Sequence, residues 1–86
     1  MNSYKLLIST PDGDIFKGEA VKISVRGELG DLAVMAGHIP FITPVKKCVC
    51  KLELPDGSEK TGDISGGLLT VGKDITTLLT GSFKWL

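Results

Sequence analysis

The sequence predicts an all-β domain built as a β-sandwich. Short apolar runs recur at intervals of roughly 8 to 12 residues, and turn-forming residues separate them. Residues that favour helices are few, and no apolar pattern with helical spacing lasts for three turns. A series of about nine short strands at this spacing is typical of a sandwich or a barrel.

Among the first three predicted strands, the first alternates well enough between apolar and polar residues and the third alternates most clearly. Residues 4–10 and 14–20 form a hairpin around the turn Pro11-Asp12-Gly13. Residues 21–27 form the third strand, in which the alternation continues until a glycine ends the run. One face of the third strand is therefore expected to be buried.

A stretch rich in glycine interrupts this series after the third strand and contains the candidate functional surface. Gly27 and Gly30 bracket a two-residue tip, where the backbone can adopt a positive φ or approach another chain closely. Residues 32–35 are predicted to form a short buried strand, and residues 36–40 a turn that contains the only histidine, His38. Functional residues are expected beside these two turns.

The rest of the chain returns to short strands. Residues 41–45 form a strand in which Pro44 indicates a sheet edge or a bulge. The next strand, residues 46–54, ends at the hairpin turn Pro55-Asp56-Gly57. Further strands are predicted at residues 59–64, 68–71 and 75–80. The tail after them is either a last strand on the sheet or a junction with a surface outside this chain.

Size and composition exclude several classes of function for this protein. The 86 residues make one domain, and 42% of them are hydrophobic and 23% charged. Ten basic and ten acidic residues give zero formal net charge, which argues against nucleic-acid binding. The chain lacks both an apolar run of about 20 residues and a signal peptide, so we expect a cytoplasmic protein with no membrane insertion.

No pattern of catalytic or metal-ligating residues is visible in the sequence. Cys48 and Cys50 share one face of a strand at a Cα separation of about 6.5 to 7 Å, near the upper limit for a disulfide. With two thiols and one histidine, a four-ligand zinc site is not expected, and small buried hydrophobic residues are the simpler interpretation. The aspartates lie mostly in turns. We therefore expect no catalytic residues, cofactor or small-molecule substrate.

Residues 30–43 resemble a pattern of the epsilon subunit of bacterial F-type ATP synthases, which corresponds to the mitochondrial delta subunit. Here the residues are Gly-Asp-Leu-Ala-Val-Met-Ala-Gly-His-Ile-Pro-Phe-Ile-Thr, and the family pattern is Gly-Glu-Leu-Gly-Ile-Leu-Pro-Gly-His-Ala-Pro-Leu-Leu-Thr. Residues 10–19, 21–27 and 65–71 also agree with the family in order and spacing. Four segments over nearly the whole chain make the resemblance specific.

The resemblance implies a ten-stranded β-sandwich of two antiparallel sheets, which is the amino-terminal domain of epsilon. We assign residues 1–81 to this domain and residues 82–86 to a tail that leads into an absent carboxy-terminal helical hairpin. The implied role is that of a non-catalytic subunit in the central stalk, bound to the gamma subunit and the c-ring on the cytoplasmic side of the bacterial membrane. Rotation of this unit couples ion flow to ATP synthesis.

The resemblance also names candidate contact residues. The acidic loop residue that lies against the c-ring in the family matches Asp31. We expect the ring-facing end to contain Glu28, Leu29, Gly30, Asp31, Leu32 and, in the adjacent turn, His38, although this histidine could instead bond local backbone. For the gamma subunit the candidates are Phe41, Ile42 and Val45, since an edge strand can expose an apolar patch. Core burial is the alternative for at least two of these three.

Two other function classes fit the sequence less well. A carrier domain of the lipoyl or biotinyl type is also all-β and of similar size, but it needs a modified lysine at the tip of a hairpin. Lys46 and Lys47 enter a strand instead, and the residues around them do not resemble the carrier motif. A small-ligand sandwich would need a cluster of convergent polar groups, and the sequence shows none.

Overall fold

The computed structural model describes residues 2–86 and folds them into ten strands. The described residues contain no helix, so the all-β prediction is confirmed. The strands are β1 (Tyr4–Thr10), β2 (Gly13–Ala20), β3 (Lys22–Gly27), β4 (Gly30–Met35), β5 (Phe41–Val45), β6 (Cys48–Glu53), β7 (Glu59–Ile64), β8 (Gly67–Val71), β9 (Ile75–Thr80) and β10 (Phe83–Trp85).

The two predicted hairpin turns, at Pro11-Asp12-Gly13 and Pro55-Asp56-Gly57, are present in the structure. Gly13, which opens β2, has a φ of 131°, and Gly57, between β6 and β7, has a φ of 89°. At the second turn the Gly57 N–H donates to the Leu54 carbonyl at 3.0 Å, and the Ser58 N–H donates to Asp56 Oδ1 at 2.8 Å. Hydrogen bonds from the Ser58 hydroxyl and from the Ser58 N–H lower the pKa of the Asp56 carboxyl. Glycine and aspartate therefore act here through local backbone geometry, as the sequence indicates.

Hydrogen bonds join all ten strands into one continuous, nearly barrel-like sheet. Its order is β10-β7-β6-β3-β5-β8-β9-β1-β2, with β4 on β3 outside this path. The link between β3 and β5 is a single pair, Gly27 with Val45, so the sheet divides there into two layers. We call them the β3 layer (β4, β3, β6, β7, β10) and the β9 layer (β5, β8, β9, β1, β2). On the open side, the Tyr4 hydroxyl donates to the Val34 carbonyl at 2.7 Å and links the two layers again.

One strand pairing differs from the expectation of purely antiparallel sheets. β1 pairs with β9 in parallel, from Lys5 opposite Ile75 to Ser9 opposite Leu79, whereas every other pair is antiparallel. A parallel pair needs a long connection, which the chain between β1 and β9 provides. Turn residues indicate only the pairing of strands that are neighbours in the sequence, so they carry no information on this pair.

The core lies between the two layers and follows the alternation of the strands. Its fully buried side chains are Leu6, Ile8, Ile23, Val34, Cys50, Leu52, Ile64, Leu69 and Leu78. Burial raises the pKa of the Cys50 thiol to about 12, so this cysteine is a neutral, unreactive core residue near pH 7. Both cysteines are free thiols, and Cys48 is only half-buried. The interpretation as small buried hydrophobic residues is thus confirmed for Cys50 and holds in part for Cys48.

The tail of the chain is a strand. β10 pairs antiparallel with β7, and the Phe83 ring lies over Gly62, where a side chain would collide with it. Trp85 packs edge-on against Phe83 with ring centroids 4.6 Å apart, and Lys60 Nζ lies 5.4 Å from the Trp85 ring centroid. Of the two alternatives for the tail, the structure confirms the last strand on the sheet. That residues 82–86 also lead into a helical hairpin stays a prediction.

Strand β4 is less buried than its apolar sequence indicated. Of its residues only Val34 is buried, Leu32 is half-buried, and Met35 is exposed over 51% of its surface. β4 pairs with β3 and with no other described strand, so it forms an edge of the sheet. The prediction of a buried strand at residues 32–35 was wrong because an apolar run does not distinguish a central strand from an edge strand.

Candidate functional site

The hairpin of β3 and β4 carries the predicted two-residue tip. Gly27 and Gly30 pair across the hairpin, and Glu28 and Leu29 form the turn beyond them. Gly30 has a φ of 126°, which glycine adopts without the penalty of a side chain. A side chain at Gly27 would come within 2.8 Å of Leu32 Cδ2. The bracketing glycines therefore make the turn possible and let Leu32 pack against its base.

The tip presents one apolar and two acidic side chains to solvent. Leu29 is fully exposed, and Glu28 and Asp31 are exposed on either side of it. Arg26 Nε donates to Asp31 Oδ1 at 3.0 Å, and this hydrogen bond raises the pKa of the Arg26 guanidinium. An ion pair this exposed adds little to stability, but it orients the carboxylate of Asp31. A depression of about 270 Å³ lies between the tip and Thr43.

His38 does not lie beside this tip. β4 runs from Gly30, which is opposite Gly27, to Met35, which is opposite Lys22 at the other end of the hairpin. Five steps along an extended strand cover about 17 Å. His38 is exposed in the turn beyond Met35, with its ring centroid 6.2 Å from that of Phe41. The expectation of two adjacent turns was wrong, because the strand between them is fully extended.

The three candidates on β5 point in different directions. Ile42 is exposed over 65% of its surface, whereas Val45 is buried and Phe41 packs half-buried against the core. Successive residues of a strand face opposite sides, so Phe41 and Val45 point inwards and Ile42 outwards. Phe41 and Val45 therefore belong to the core, which was the alternative for at least two of the three candidates. Only Ile42 is available to a partner.

Ile42 belongs to an apolar patch on the outside of the β9 layer, which we call the apolar face. Strand register brings Pro44, Leu68 and Leu79 into one row across three strands, and Ile42 lies in the next row, opposite Thr70. The strands β5, β8 and β9 contain no charged residue. The apolar face consists of Ile42, Pro44, Leu68, Ile75 and Leu79, all of them exposed.

The outside of the β3 layer has the opposite character. Besides the pair of Arg26 and Asp31, Lys51 Nζ lies 3.2 Å from Glu59 Oε2, and both side chains are about half exposed. A groove of about 630 Å³ crosses this surface, and Arg26 and Lys51 are among the residues that line it. Charged side chains that pair with each other and reach into water are typical of a solvated surface. The two outer faces of the domain are thus chemically distinct.

Sequence reasoning missed most of the apolar face. It identified Ile42 but not Leu68, Ile75 or Leu79. A signal was present, because Phe41-Ile42, Leu68-Leu69 and Leu78-Leu79 are apolar doublets within strands. Since neighbouring residues of a strand face opposite sides, each doublet must place one large apolar side chain on the outer face.

The described residues offer no site for a metal ion. Residues 2–86 contain no group of three or more histidine, cysteine or acidic side chains placed to hold one. In the same part of the chain, no buried side-chain nitrogen or oxygen lacks a hydrogen-bond partner. Residues 2–86 contain no helix that is long and apolar enough to cross a membrane.

Comparison with protein families and curated proteins gives one consistent result. The family model described as "ATP synthase, Delta/Epsilon chain, beta-sandwich domain" matches residues 3–86. The ATP synthase epsilon chain of Bacillus velezensis is 39% identical over 79 residues, which cover 92% of this chain and 59% of that protein. The epsilon chain of Bacillus subtilis is 38% identical with the same coverage. The chain therefore spans about three fifths of the length of these curated relatives.

Solved structures agree on the fold. A chain of the Euglena gracilis mitochondrial ATP synthase (OSCP/F1/c-ring) superposes with a TM-score of 0.90 at 21% identity, covering 96% of this chain and 53% of that one. A chain of the Tetrahymena thermophila mitochondrial ATP synthase (central stalk/c-ring) gives a TM-score of 0.77 at 12% identity, covering 95% and 66%. Together with the family match over residues 3–86, these findings show that the chain belongs to the family of ATP synthase delta/epsilon chain β-sandwich domains.

Proposed function

We propose that this chain is a non-catalytic docking domain in the central stalk of a bacterial F-type ATP synthase. In this role it binds the gamma subunit and the c-ring on the cytoplasmic side of the membrane, as a peripheral component. Their common rotation couples ion flow to ATP synthesis on other subunits. The observation that carries the proposal is the apolar face of the β9 layer, and family membership indicates the complex in which its partner is found.

The apolar face suits a protein partner. Its large side chains are exposed by 38% to 65%, and Pro44, Leu68 and Leu79 adjoin one another in one row across three strands that carry no charge. Ile75 lies apart from this row, beside Lys5 of β1. Contiguous apolar patches on small domains mark interaction sites, because their exposure to water is unfavourable until a partner covers them. We assign the gamma subunit to this face, with Ile42 as a contact residue. Phe41 and Val45 support β5 from the core side.

Replacing Ile42 with aspartate is expected to weaken binding of the gamma subunit by about tenfold or more, because the interface would have to bury an unpaired charge. Ile42 points into solvent, so the fold is expected to survive. Copurification with the gamma subunit and titration calorimetry measure binding, and circular dichroism checks the fold. Val49→Asp is the matched control, since Val49 is 53% exposed on the charged β3 layer. Unchanged binding of the Ile42 variant would refute this assignment.

We assign the c-ring to the tip of the β3–β4 hairpin, residues 28–32. The tip projects beyond the paired strands, and its glycines let a partner approach the backbone closely. Leu29 offers an apolar contact, and Glu28 and Asp31 offer carboxylates to polar loops. His38 is not part of this contact, because it follows the opposite end of β4.

A crosslinking experiment tests this orientation. In a chain with both native cysteines replaced by alanine, Asp31→Cys is expected to form a disulfide with a cysteine placed in a c-ring loop of the assembled enzyme. His38→Cys, at the other end of β4, is the matched control and is expected to form little or none. Electrophoresis without reducing agent detects the product. Crosslinking through position 38 but not through position 31 would reverse the proposed orientation.

The carrier-domain alternative is not favoured. The family match covers residues 3–86, and Lys46 and Lys47 lie between β5 and β6. The Lys46 N–H donates to the Arg26 carbonyl at 2.8 Å, which holds this segment against β3. A carrier lysine needs the exposed tip of a tight hairpin, and this position is a link between two strands.

A further inference from the structure

The only two Asp-Gly pairs of the sequence lie in similar places. Each follows a proline in a hairpin turn, as Pro11-Asp12-Gly13 between β1 and β2 and as Pro55-Asp56-Gly57 between β6 and β7. Both aspartates are exposed, and both glycines have a positive φ, 131° at Gly13 and 89° at Gly57. Glycine has no side chain to shield its backbone nitrogen from a neighbouring group. In an Asp-Gly pair the side-chain carboxyl can therefore react with the nitrogen that follows it.

The two carboxyl groups differ in what holds them. Asp56 Oδ1 accepts hydrogen bonds from the Ser58 N–H at 2.8 Å and from Ser58 Oγ at 2.5 Å. These hydrogen bonds lower the pKa of the Asp56 carboxyl, so it stays ionised at lower pH. Within residues 2–86, the Asp12 carboxylate accepts no hydrogen bond and forms no ion pair, although its backbone N–H donates to Thr10 Oγ1 at 3.2 Å. The Asp12 side chain is thus free to move.

The reaction open to such a pair is the isomerisation of aspartate. The Gly13 nitrogen attacks Asp12 Cγ, an N–C bond forms, a C–O bond breaks, and the amide proton leaves with the carboxyl hydroxyl as one water. The product is a five-membered succinimide. Water then opens the ring at Cγ, which restores aspartate, or at the original backbone carbonyl, which gives isoaspartate. One water is released and one is taken up, and no group is oxidised or reduced.

The contacts of Asp56 oppose the first of these steps. Its carboxyl must leave both donors of Ser58 before it can approach the Gly57 nitrogen, and hydrogen bonds to an ionised group are among the stronger ones. An ionised carboxylate is also a poor target for a nucleophile, and the lowered pKa keeps Asp56 in this form. At Asp12 no side-chain hydrogen bond has to break.

We propose that Asp12-Gly13 is the site at which this domain isomerises with age, and that Ser58 protects Asp56-Gly57 from the same reaction. Isoaspartate adds one atom to the main chain, inside the two-residue loop that brings Thr10 opposite Gly13. Because loop length fixes the register of a hairpin, the change is expected to loosen the pairing of β1 with β2. Among the described strands β2 pairs with β1 alone, so the damage is confined to this edge of the sheet.

A direct test follows the two aspartates in one sample. The purified, folded chain is kept for several weeks at about pH 5, where part of an ordinary aspartate carboxyl is protonated. Liquid chromatography separates aspartyl from isoaspartyl peptides of equal mass, and electron-transfer fragmentation assigns each to its residue. Isoaspartate is expected to accumulate at least about tenfold faster at position 12 than at position 56. Asp12→Glu is the control and is expected to abolish the signal at position 12, because glutamate would have to close a slower six-membered ring.

Ser58→Ala tests the protection, since it removes the hydroxyl and keeps the backbone N–H. Isomerisation at position 56 is expected to rise by about threefold or more, with no change at position 12. In urea, where both turns are lost, the rates at the two positions are expected to converge. Equal rates in the folded chain, or a difference that persists in urea, would overturn the assignment to Asp12. An unchanged rate at position 56 in folded Ser58→Ala would overturn the role of Ser58. Circular dichroism verifies that each variant is folded. The reaction needs neither the gamma subunit nor the c-ring, so its test is independent of the proposed function.

Discussion

Replacing Leu78 with alanine is expected to lower the free energy of unfolding by about 3 kcal/mol. Leu78 is fully buried, and its neighbours across the sheet, Leu69 of β8 and Ile8 of β1, are fully buried as well. The lost side chain leaves a cavity that closes poorly, because sheet hydrogen bonds hold β9 from both sides. Urea unfolding followed by circular dichroism gives the value.

The control for this variant is the next residue along the same strand. Leu79 is 47% exposed on the apolar face, so Leu79→Ala is expected to cost less than about 1 kcal/mol. The same substitution is expected to weaken the proposed contact with the gamma subunit, whereas Leu78→Ala acts on stability alone while the domain stays folded. Equal losses of stability at the two positions would contradict the inward and outward assignment of β9.

Replacing Gly67 with alanine is expected to cost about 3 kcal/mol or more, and it is the backbone substitution with the largest predicted effect. A side-chain carbon at Gly67 would overlap the carbonyl oxygen of Leu79 on the neighbouring strand. Both atoms are fixed by the backbone, so no side-chain rotation relieves the overlap. β8 and β9 would have to separate where the buried Thr80 pairs with Gly67.

Gly18→Ala separates this clash from the general effect of removing a glycine. Gly18 lies in β2, and a side-chain carbon there would meet the Phe16 ring at 3.5 Å, an ordinary contact. Both substitutions reduce the conformational freedom of the unfolded chain by the same amount, which on its own stabilises a protein slightly. The difference between their unfolding free energies therefore reports the collision at Gly67. A difference near zero would mean that β8 and β9 lie further apart than described.

Much of the fold was predictable because short stretches of adjacent residues determine its strands and turns. The alternation in residues 21–27 and the turns at Pro11 and Pro55 are properties of adjacent residues, and the strands around them form as predicted. The parallel pairing of β1 with β9 was not predictable, since it depends on residues far apart in the chain. The short strand β10 was left open because a run of three residues carries too little pattern to define a strand.

The candidate site was predictable in part. The glycine-bracketed tip follows from the residues and from the family resemblance. Ile42 is exposed on β5, and its role as a contact residue stays a prediction. The expectation that His38 lies beside that tip was wrong. Residues that are close in sequence are far apart in space when the segment between them is an extended strand. The leucines of the apolar face were missed because periodicity identifies two faces of a strand without stating which one a partner covers.

β1 acquires its two neighbours at very different times. Its hairpin partner β2 follows at once, but Lys5 pairs with Ile75, which is made near the end of the described chain. A two-stranded hairpin is only marginally stable in water, so β1 and β2 remain loosely held during synthesis until β9 has emerged from the ribosome. Contacts between such distant residues also slow folding, to milliseconds or seconds in all-β domains of about this size. The β1–β2 hairpin is therefore made before the other described strands but is among the last parts of the domain to become stable.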